Sequence, residues 1–220
     1  MAGLEGVVVK RSARARRMTL RVSRLDGKVT LTLPRQIRDR VAVDFLKEKA
    51  AWVAEAQQSV APTEQVGIGS ELMVEGRRVQ VKAGLRRVAM LCDGIVEAPP
   101  AKTAAALKTC LEAEARKRCE EHVEHYAAKI GRSANRITMR DPRSRWGSCS
   151  SEGNLMFSWR LILAPPEVLD YVVAHEVAHL DQMNHSATFW NLVAELAPEY
   201  RRWKAWLGTD GPDLHRYRFD

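Results

Sequence analysis

His175 and His179 stand four residues apart in the run His175-Glu-Val-Ala-His179, with Glu176 between them. On a helix that spacing puts both imidazoles on one face, about 5–6 Å apart at Cβ, so both can reach one metal ion. Glu176 lies about 100° around the helix from His175, a direction that suits a base touching a metal-bound water. This is the H-E-x-x-H arrangement of zinc hydrolases. Zn2+ brings the pKa of a bound water toward ~7, and a neighbouring carboxylate can take the proton.

Three local features sharpen that reading. Val172, Val173, Ala174, Val177, Ala178 and Leu180 make the helix apolar almost all round, which predicts burial, and buried histidines beside a buried glutamate are costly without a metal. His185, six residues past His179, offers a third ligand, with Asp181 and Asn184 as competitors for that place. Ser186 then opens a new helix through Phe189 and Trp190, so His185 falls at a turn between two helices. Three protein ligands with an open water position make a catalytic site; a fourth protein ligand would make it structural. His122, His125 and His215 lack such spacing, and the first two read as an exposed helical pair.

The elements that must hold this group follow from periodicity. A helix is predicted from Pro165-Pro166 to about Met183, another from Ser186 to Leu196, and a third from Glu199 to about Leu207. Lys102 to Ile130 forms a long helical pattern closed by Gly131. Arg136–Arg140 and Asn154–Trp159 read as strands, the second reached from a turn at Gly147. Upstream, Met18–Ser23 and Val29–Leu33 alternate as half-buried strands do, joined by an Asp26-Gly27 turn. Arg38–Gln58 is helical, and four short strand candidates follow at 71–74, 79–82, 88–91 and 95–97. Pro99-Pro100 marks a boundary between a β-rich, basic region of residues 1–100 and a second region of residues 101–220.

Composition bounds the rest. The chain has 220 residues, with 45% hydrophobic and 28% charged side chains, which excludes collagenous, mostly disordered and disulfide-miniprotein classes. No apolar run approaches the ~18–20 residues of a membrane span, and Met1 to Lys10 lacks the pattern of a secretory signal. A cytoplasmic location without membrane association is therefore expected. Cys92, Cys110, Cys119 and Cys149 are scattered and read as reduced thiols, with Cys149 a small hydrophobe. The net charge is +8. Residues 1–100 hold 18 basic and 11 acidic side chains, a net of +7, densest from Lys10 to Arg24. Such an excess either solvates a sheet face or attracts polyanions without choosing among them.

A second informative segment is Arg143 to Ser150, RSRWGSCS. Taken with Asn154 to Arg160 (NLMFSWR), Ala164 to His179, Met183 to Ser186 and Phe189-Trp190, it resembles the YgjP-like predicted metal-dependent hydrolases, relatives of the SprT-like and minigluzincin metallopeptidases. The resemblance is strong over about residues 136–206 and extends weakly to the strands around Arg17–Val22 and Val29–Pro34. It implies an α+β, zincin-like domain at 101–220, with an active-site helix packed on a small antiparallel sheet and the substrate cleft between them. It also implies His175, His179 and His185 as ligands of one Zn2+ or another divalent ion, and Glu176 as general base. Glu195 is a distant fallback for the third ligand, as the wider gluzincin group uses a glutamate there. Gln182 stands where metzincins carry a glycine, so a metzincin turn is not expected.

Arg143, Arg145 and Trp146 precede the strand that should line the cleft. With Arg140, the arginines can hold a substrate carboxylate or phosphate, or pair structurally with Asp141 or Asp170 while Trp146 packs. Tyr171, four residues before His175, can donate to an oxyanion or simply pack. The leading expectation is a zinc-dependent metallopeptidase acting on peptide or protein. The alternatives are a metal-dependent nucleotide or phosphate-ester hydrolase, a nucleic-acid-associated protease module, and a non-catalytic structural zinc module, against which Glu176 argues. The sequence carries no signal for an oligomeric state.

Overall fold

A computed structural model describes residues 6–92 and 94–220; Asp93 and residues 1–5, part of the segment read above for a leader, lie outside it. The chain divides into two compact units, Met1–Thr63 and Glu64–Asp220.

The first unit is a three-stranded sheet with two helices. Its strands are β1 (Val7–Ser12), β2 (Thr19–Val22) and β3 (Val29–Pro34), in the order β1-β3-β2, followed by α1 (Asp39–Glu48) and α2 (Ala50–Gln58). Alternation along β3 sends Val29, Leu31 and Leu33 inward, where Leu31 and Leu33 meet Ala42 of α1. The β2–β3 turn closes at Gly27, whose φ of +67° is a conformation glycine adopts at no steric cost. Two features escaped the periodicity. β1 pairs parallel to β3, and its Val7-Val8-Val9 run does not alternate. The helical pattern of 38–58 breaks at Lys49 (φ −93°, ψ 5°) into two helices.

The second unit begins with β4 (Glu64–Gln65), β5 (Glu71–Val74), β6 (Arg77–Ala83), β7 (Met90–Cys92) and β8 (Ile95–Ala98). β5 to β8 form a sheet in the order β5-β6-β8-β7. The long helix α3 (Thr103–Lys129) follows, then β9 (Arg136–Arg140), β10 (Gly147–Cys149) and β11 (Asn154–Ser158). A 3-10 segment (Trp159–Leu163) leads into α4 (Pro166–Ala178), α5 (Ala187–Leu196) and α6 (Tyr200–Thr209). Another 3-10 segment (Gly211–His215) precedes β12 (Tyr217–Arg218), which pairs with β4.

The boundary expected at Pro99-Pro100 falls inside this unit. Val74, Val81, Val96 and Ala98 of the β5–β8 sheet share one buried cluster with Leu107, Leu111, Ala115 and Cys119, a stripe on α3 at four-residue spacing. Apolar burial holds that stretch to the second unit whatever the prolines do to the local chain.

The small sheet beside α4 is mixed, where an antiparallel one was expected. β10 is antiparallel to β11, but β9 is parallel to it, in the order β10-β11-β9. The 141–146 loop carries the chain past the central place, which β11 then fills after the β10 turn. Arg160 anchors this loop from below. It forks onto Asp141 through Nε (2.7 Å) and Nη2 (3.1 Å), and its Nη1 donates to the carbonyls of Leu214 and Tyr217. Arginine pairing with Asp141 was expected from 140, 143 or 145; the partner is Arg160. Asp170 instead accepts from the Tyr126 hydroxyl and pairs with His122 Nδ1, both at 2.7 Å.

Burial alone would raise the Asp141 carboxyl, but the hydrogen bonds and charge of Arg160 outweigh it and hold the group below the ordinary carboxylate range. A carboxyl lowered on folding stabilises the fold above its unfolded pKa of about 3.9, and the contribution is lost as pH falls through the folded value. Asp141→Asn is therefore expected to cost ~1–2 kcal/mol at neutral pH, discounted for partial exposure. Denaturant titrations should also show a shallower loss of stability on acidification below about pH 4 than in the unsubstituted chain; equal acid profiles would refute the role of this ion pair.

Candidate metal centre

α4 ends sooner than its apolar pattern suggested, at Ala178, with His179 as its C-cap. Leu180 N donates to Val177 O, and Asp181 N and Gln182 N both donate to Ala178 O, so the chain tightens and turns back. That reversal delivers His185 to the other two histidines. The ring centroids of His175, His179 and His185 are 4.8–5.2 Å apart, and one ligand atom from each lies within 4.8 Å of the others. Among the described residues this is the one cluster of three histidine, cysteine or carboxylate groups placed to share a cation.

The donors fit zinc. His175 Nε2 and His185 Nε2 are 3.2 Å apart, close to the ~3.3 Å between two ligands of a tetrahedral ion with Zn–N bonds of ~2.0–2.1 Å. His175 Nδ1 is buried with no hydrogen-bond partner, so nothing on the protein side opposes Nε2 as the metal-facing atom. His179 Nδ1 lies 2.9 Å from Gln182 O; donation there fixes the tautomer whose Nε2 is free to ligate. Burial, with the like charges of its two partner histidines, pushes His175 down to about 3, and burial lowers His179 as well. Both imidazoles are thus neutral at pH 7, as ligands must be.

Glu176 is 6% exposed. Burial pushes its carboxyl up to about 8, and Arg145 opposes the shift. The strand above it is shaped to this side chain. A Cβ on Gly147 of β10 would fall 2.6 Å from both Glu176 Cγ and Oε1, so only glycine fits. Cys149, two residues on, also senses the Glu176 charge, and burial raises its thiol to about 11, which makes it inert as a nucleophile. Tyr171 is buried edge-on against His175 at 5.9 Å and stacks on Tyr200. Arg143 and Arg145 are exposed on the 141–146 loop and enter no ion pair among the described residues. Trp146 packs on His215 at 5.3 Å.

The competitors for the third ligand place are engaged elsewhere. Asp181 binds Arg132, and Asn184 Oδ1 accepts from Ser186 N. Glu195 is not part of the cluster. Ser186 caps α5 by accepting from Phe189 N. Sequence reasoning gave no role to Phe189, set Gln182 only against a metzincin glycine, and read Gly147 as a turn, where the structure puts it on β10. Phe189 is fully buried, stacks on His179 at 4.4 Å and stands edge-on to His175 and His185 at 5.0 and 4.8 Å. Its place one turn into the capped helix after His185 was the available signal. Beside His179 a cavity of about 590 Å3 opens, lined by Ser133, Ser150, Ser151, Leu180 and Met183 among others.

Gly147→Ala should leave the histidines undisturbed and displace Glu176. The expected result is a folded protein destabilised by ~1–3 kcal/mol that still binds metal but has lost activity. An alanine variant with unchanged thermal stability and turnover would show that the strand gives way instead.

No curated protein matches the chain. Among solved structures, the metallopeptidase zymogen abylysin of Pyrococcus abyssi is similar over part of the chain. It is 22% identical, covers 42% of this chain and 95% of its own, and superposes with a TM-score of 0.36. The family described as "YgjP-like, metallopeptidase domain" matches residues 16–210. Most of each unit thus falls within a single family match, and the chain belongs to the YgjP-like metallopeptidase family.

Proposed function

We propose that the chain is a zinc peptidase in which His175, His179 and His185 hold one ion and Glu176 is the general base. The observation that carries this is the convergence of three imidazoles beside a buried glutamate. Three nitrogen donors favour zinc over the oxygen-seeking magnesium and calcium. When bound, the ion supplies Lewis acidity, acidifying water and polarising a carbonyl.

The remaining work belongs to the chain. Glu176, buried beside the three histidines, is placed for its carboxylate to accept a proton from water and return it to the leaving amine. Tyr171 supplies a hydroxyl donor beside His175 for charge developing on the substrate oxygen. β10 is an edge strand, and a peptide laid along it is oriented by backbone hydrogen bonds. Arg145 stands at its approach, whereas Arg143 and Trp146 lie toward His215, and the cavity beside His179 takes a side chain. Phe189 keeps one wall of the site dry. The family match supports a peptide over a phosphate ester as substrate.

Zinc content and peptidase activity test this together. Glu176→Gln should retain about one zinc per chain while losing activity ~10²–10⁴-fold, and His185→Ala should lose the metal. A zinc-free protein, or a glutamine variant with full turnover, would remove the proposal.

One observation favours a second, non-catalytic role for the first unit. Residues 1–63 carry 13 basic and six acidic side chains, so +7 of the chain's +8 resides there. By register, Lys10, Thr32 and Thr19 lie abreast, as do Val8, Thr30 and Arg21, on the sheet face opposite Leu31. A nucleic-acid backbone fits such a face. Affinity for a DNA oligonucleotide should then fall with salt at a log–log slope of roughly −0.9 per phosphate contacted; no binding at low salt would exclude it.

A further inference from the structure

The strand that covers Glu176 presents its side chains to the catalytic carboxylate in alternation. Gly147 and Cys149 stand opposite Phe157 and Leu155, both buried, while Ser148 stands opposite half-buried Met156 on the other face. Gly147 touches Glu176 and Cys149 senses its charge, so this parity faces α4. Pairing runs past the end of β10, because Ser158 N donates to Trp146 O at 2.8 Å. Arg145 comes next, across a bend at Trp146 and two residues before Gly147, and its charge is felt at Glu176. Arg143 lies toward His215 instead.

Arg145 is also uncommitted. Arg160 forks onto Asp141, Arg132 onto Asp181 and Arg118 onto Glu75. Arg145 is exposed and enters no ion pair among the described residues. The lead into the edge strand thus carries a free, exposed guanidinium at the mouth of a site whose buried acid is Glu176. A guanidinium offers a planar fork that matches a carboxylate bidentately. A peptide backbone offers it only uncharged carbonyl acceptors, without that bidentate match.

We infer that Arg145 is a specificity-determining residue that selects peptide substrates bearing a carboxylate next to the cleaved bond. This rests on the peptidase reading above and deepens it by naming the substrate class. The carboxylate is either an acidic side chain or the peptide C-terminus, and the two share the same chemistry at the guanidinium. A substrate seated along β10 covers Arg145 and removes it from water, which is what raises the contact above the small worth of an exposed ion pair.

The test uses the full-length, zinc-loaded chain and one peptide sequence. Glu, Gln or Lys is placed in turn at each position flanking the bond, and every peptide is made as free acid and as C-terminal amide. The acidic peptide should be preferred by about tenfold or more in kcat/KM, mainly through KM. Preference that follows the Glu position identifies a side chain; preference that vanishes on amidation identifies the C-terminus. Arg145→Gln should level the discrimination and Arg145→Glu should reverse it toward Lys, whereas Arg143→Gln should keep it. Fluorescence anisotropy of the labelled acidic and neutral peptides on zinc-loaded Glu176→Gln, with and without Arg145→Gln, reads the same discrimination without turnover. Thermal unfolding confirms that each variant is folded. Cleavage indifferent to substrate charge, or an Arg145→Glu variant that still prefers Glu, overturns the inference and leaves the peptidase reading intact. Failure to cleave any peptide in the series ends the peptidase reading and this inference with it.

Discussion

The structure depends on keeping an ionisable cluster at the end of an otherwise apolar helix. α4 buries Val168, Leu169, Val172, Val173 and Val177, each contributing roughly 1.5–3 kcal/mol on leaving water. Glu176 opposes this: raising a carboxyl from 4.5 to about 8 corresponds to a burial cost on the order of 5 kcal/mol. The apolar face wins, so the helix stays in the core and carries the glutamate with it. Neutral imidazoles are far cheaper to bury than charged ones, which is why His175 and His179 tolerate the same place with lowered basicity. The result is two imidazoles held neutral beside a carboxyl whose own desolvation raises it.

The geometry around that helix is fixed by contacts distant in sequence. Gly147 lets β10 approach Glu176 closely. Arg160 ties Asp141, at the start of the loop that precedes β10, to the backbone at Leu214 and Tyr217. Trp146 is held between His215 and Gly211, whose Cβ would lie 3.1 Å from the indole. A buried, fully bonded guanidinium of this kind is costly to disturb, so the loop is set by the C-terminal segment even though its own sequence is polar.

Charge is partitioned as sharply as the fold. The second unit, with 157 residues, is nearly neutral, and the first carries almost all of the excess. Arg11 shows that a basic residue in that block can be structural: it caps the carbonyls of Arg35 and Ile37 and pairs with Asp39. Lys10 and Arg21 lie on the opposite face of the same sheet.

The sequence by itself determined the features that short-range physics writes into it. The pairing of His175 and His179 follows from helical spacing, the cap at Ser186 from its hydroxyl, the β2–β3 turn from Asp26-Gly27, and the stripe of α3 from its four-residue apolar repeat. Tertiary structure decided what depends on groups far apart along the chain. It ended α4 at Ala178, because the turn through Gln182 must return His185 to the cluster. It placed β9 parallel to β11 and moved the compact boundary to residue 63, because apolar burial across the β5–β8 sheet outweighs a proline pair. It also gave Asp141 to Arg160, Asp170 to His122 and Tyr126, and Gly147 to Glu176. Such partners are chosen by distance and desolvation in the folded state, and neither quantity is encoded in the spacing of residues along a chain.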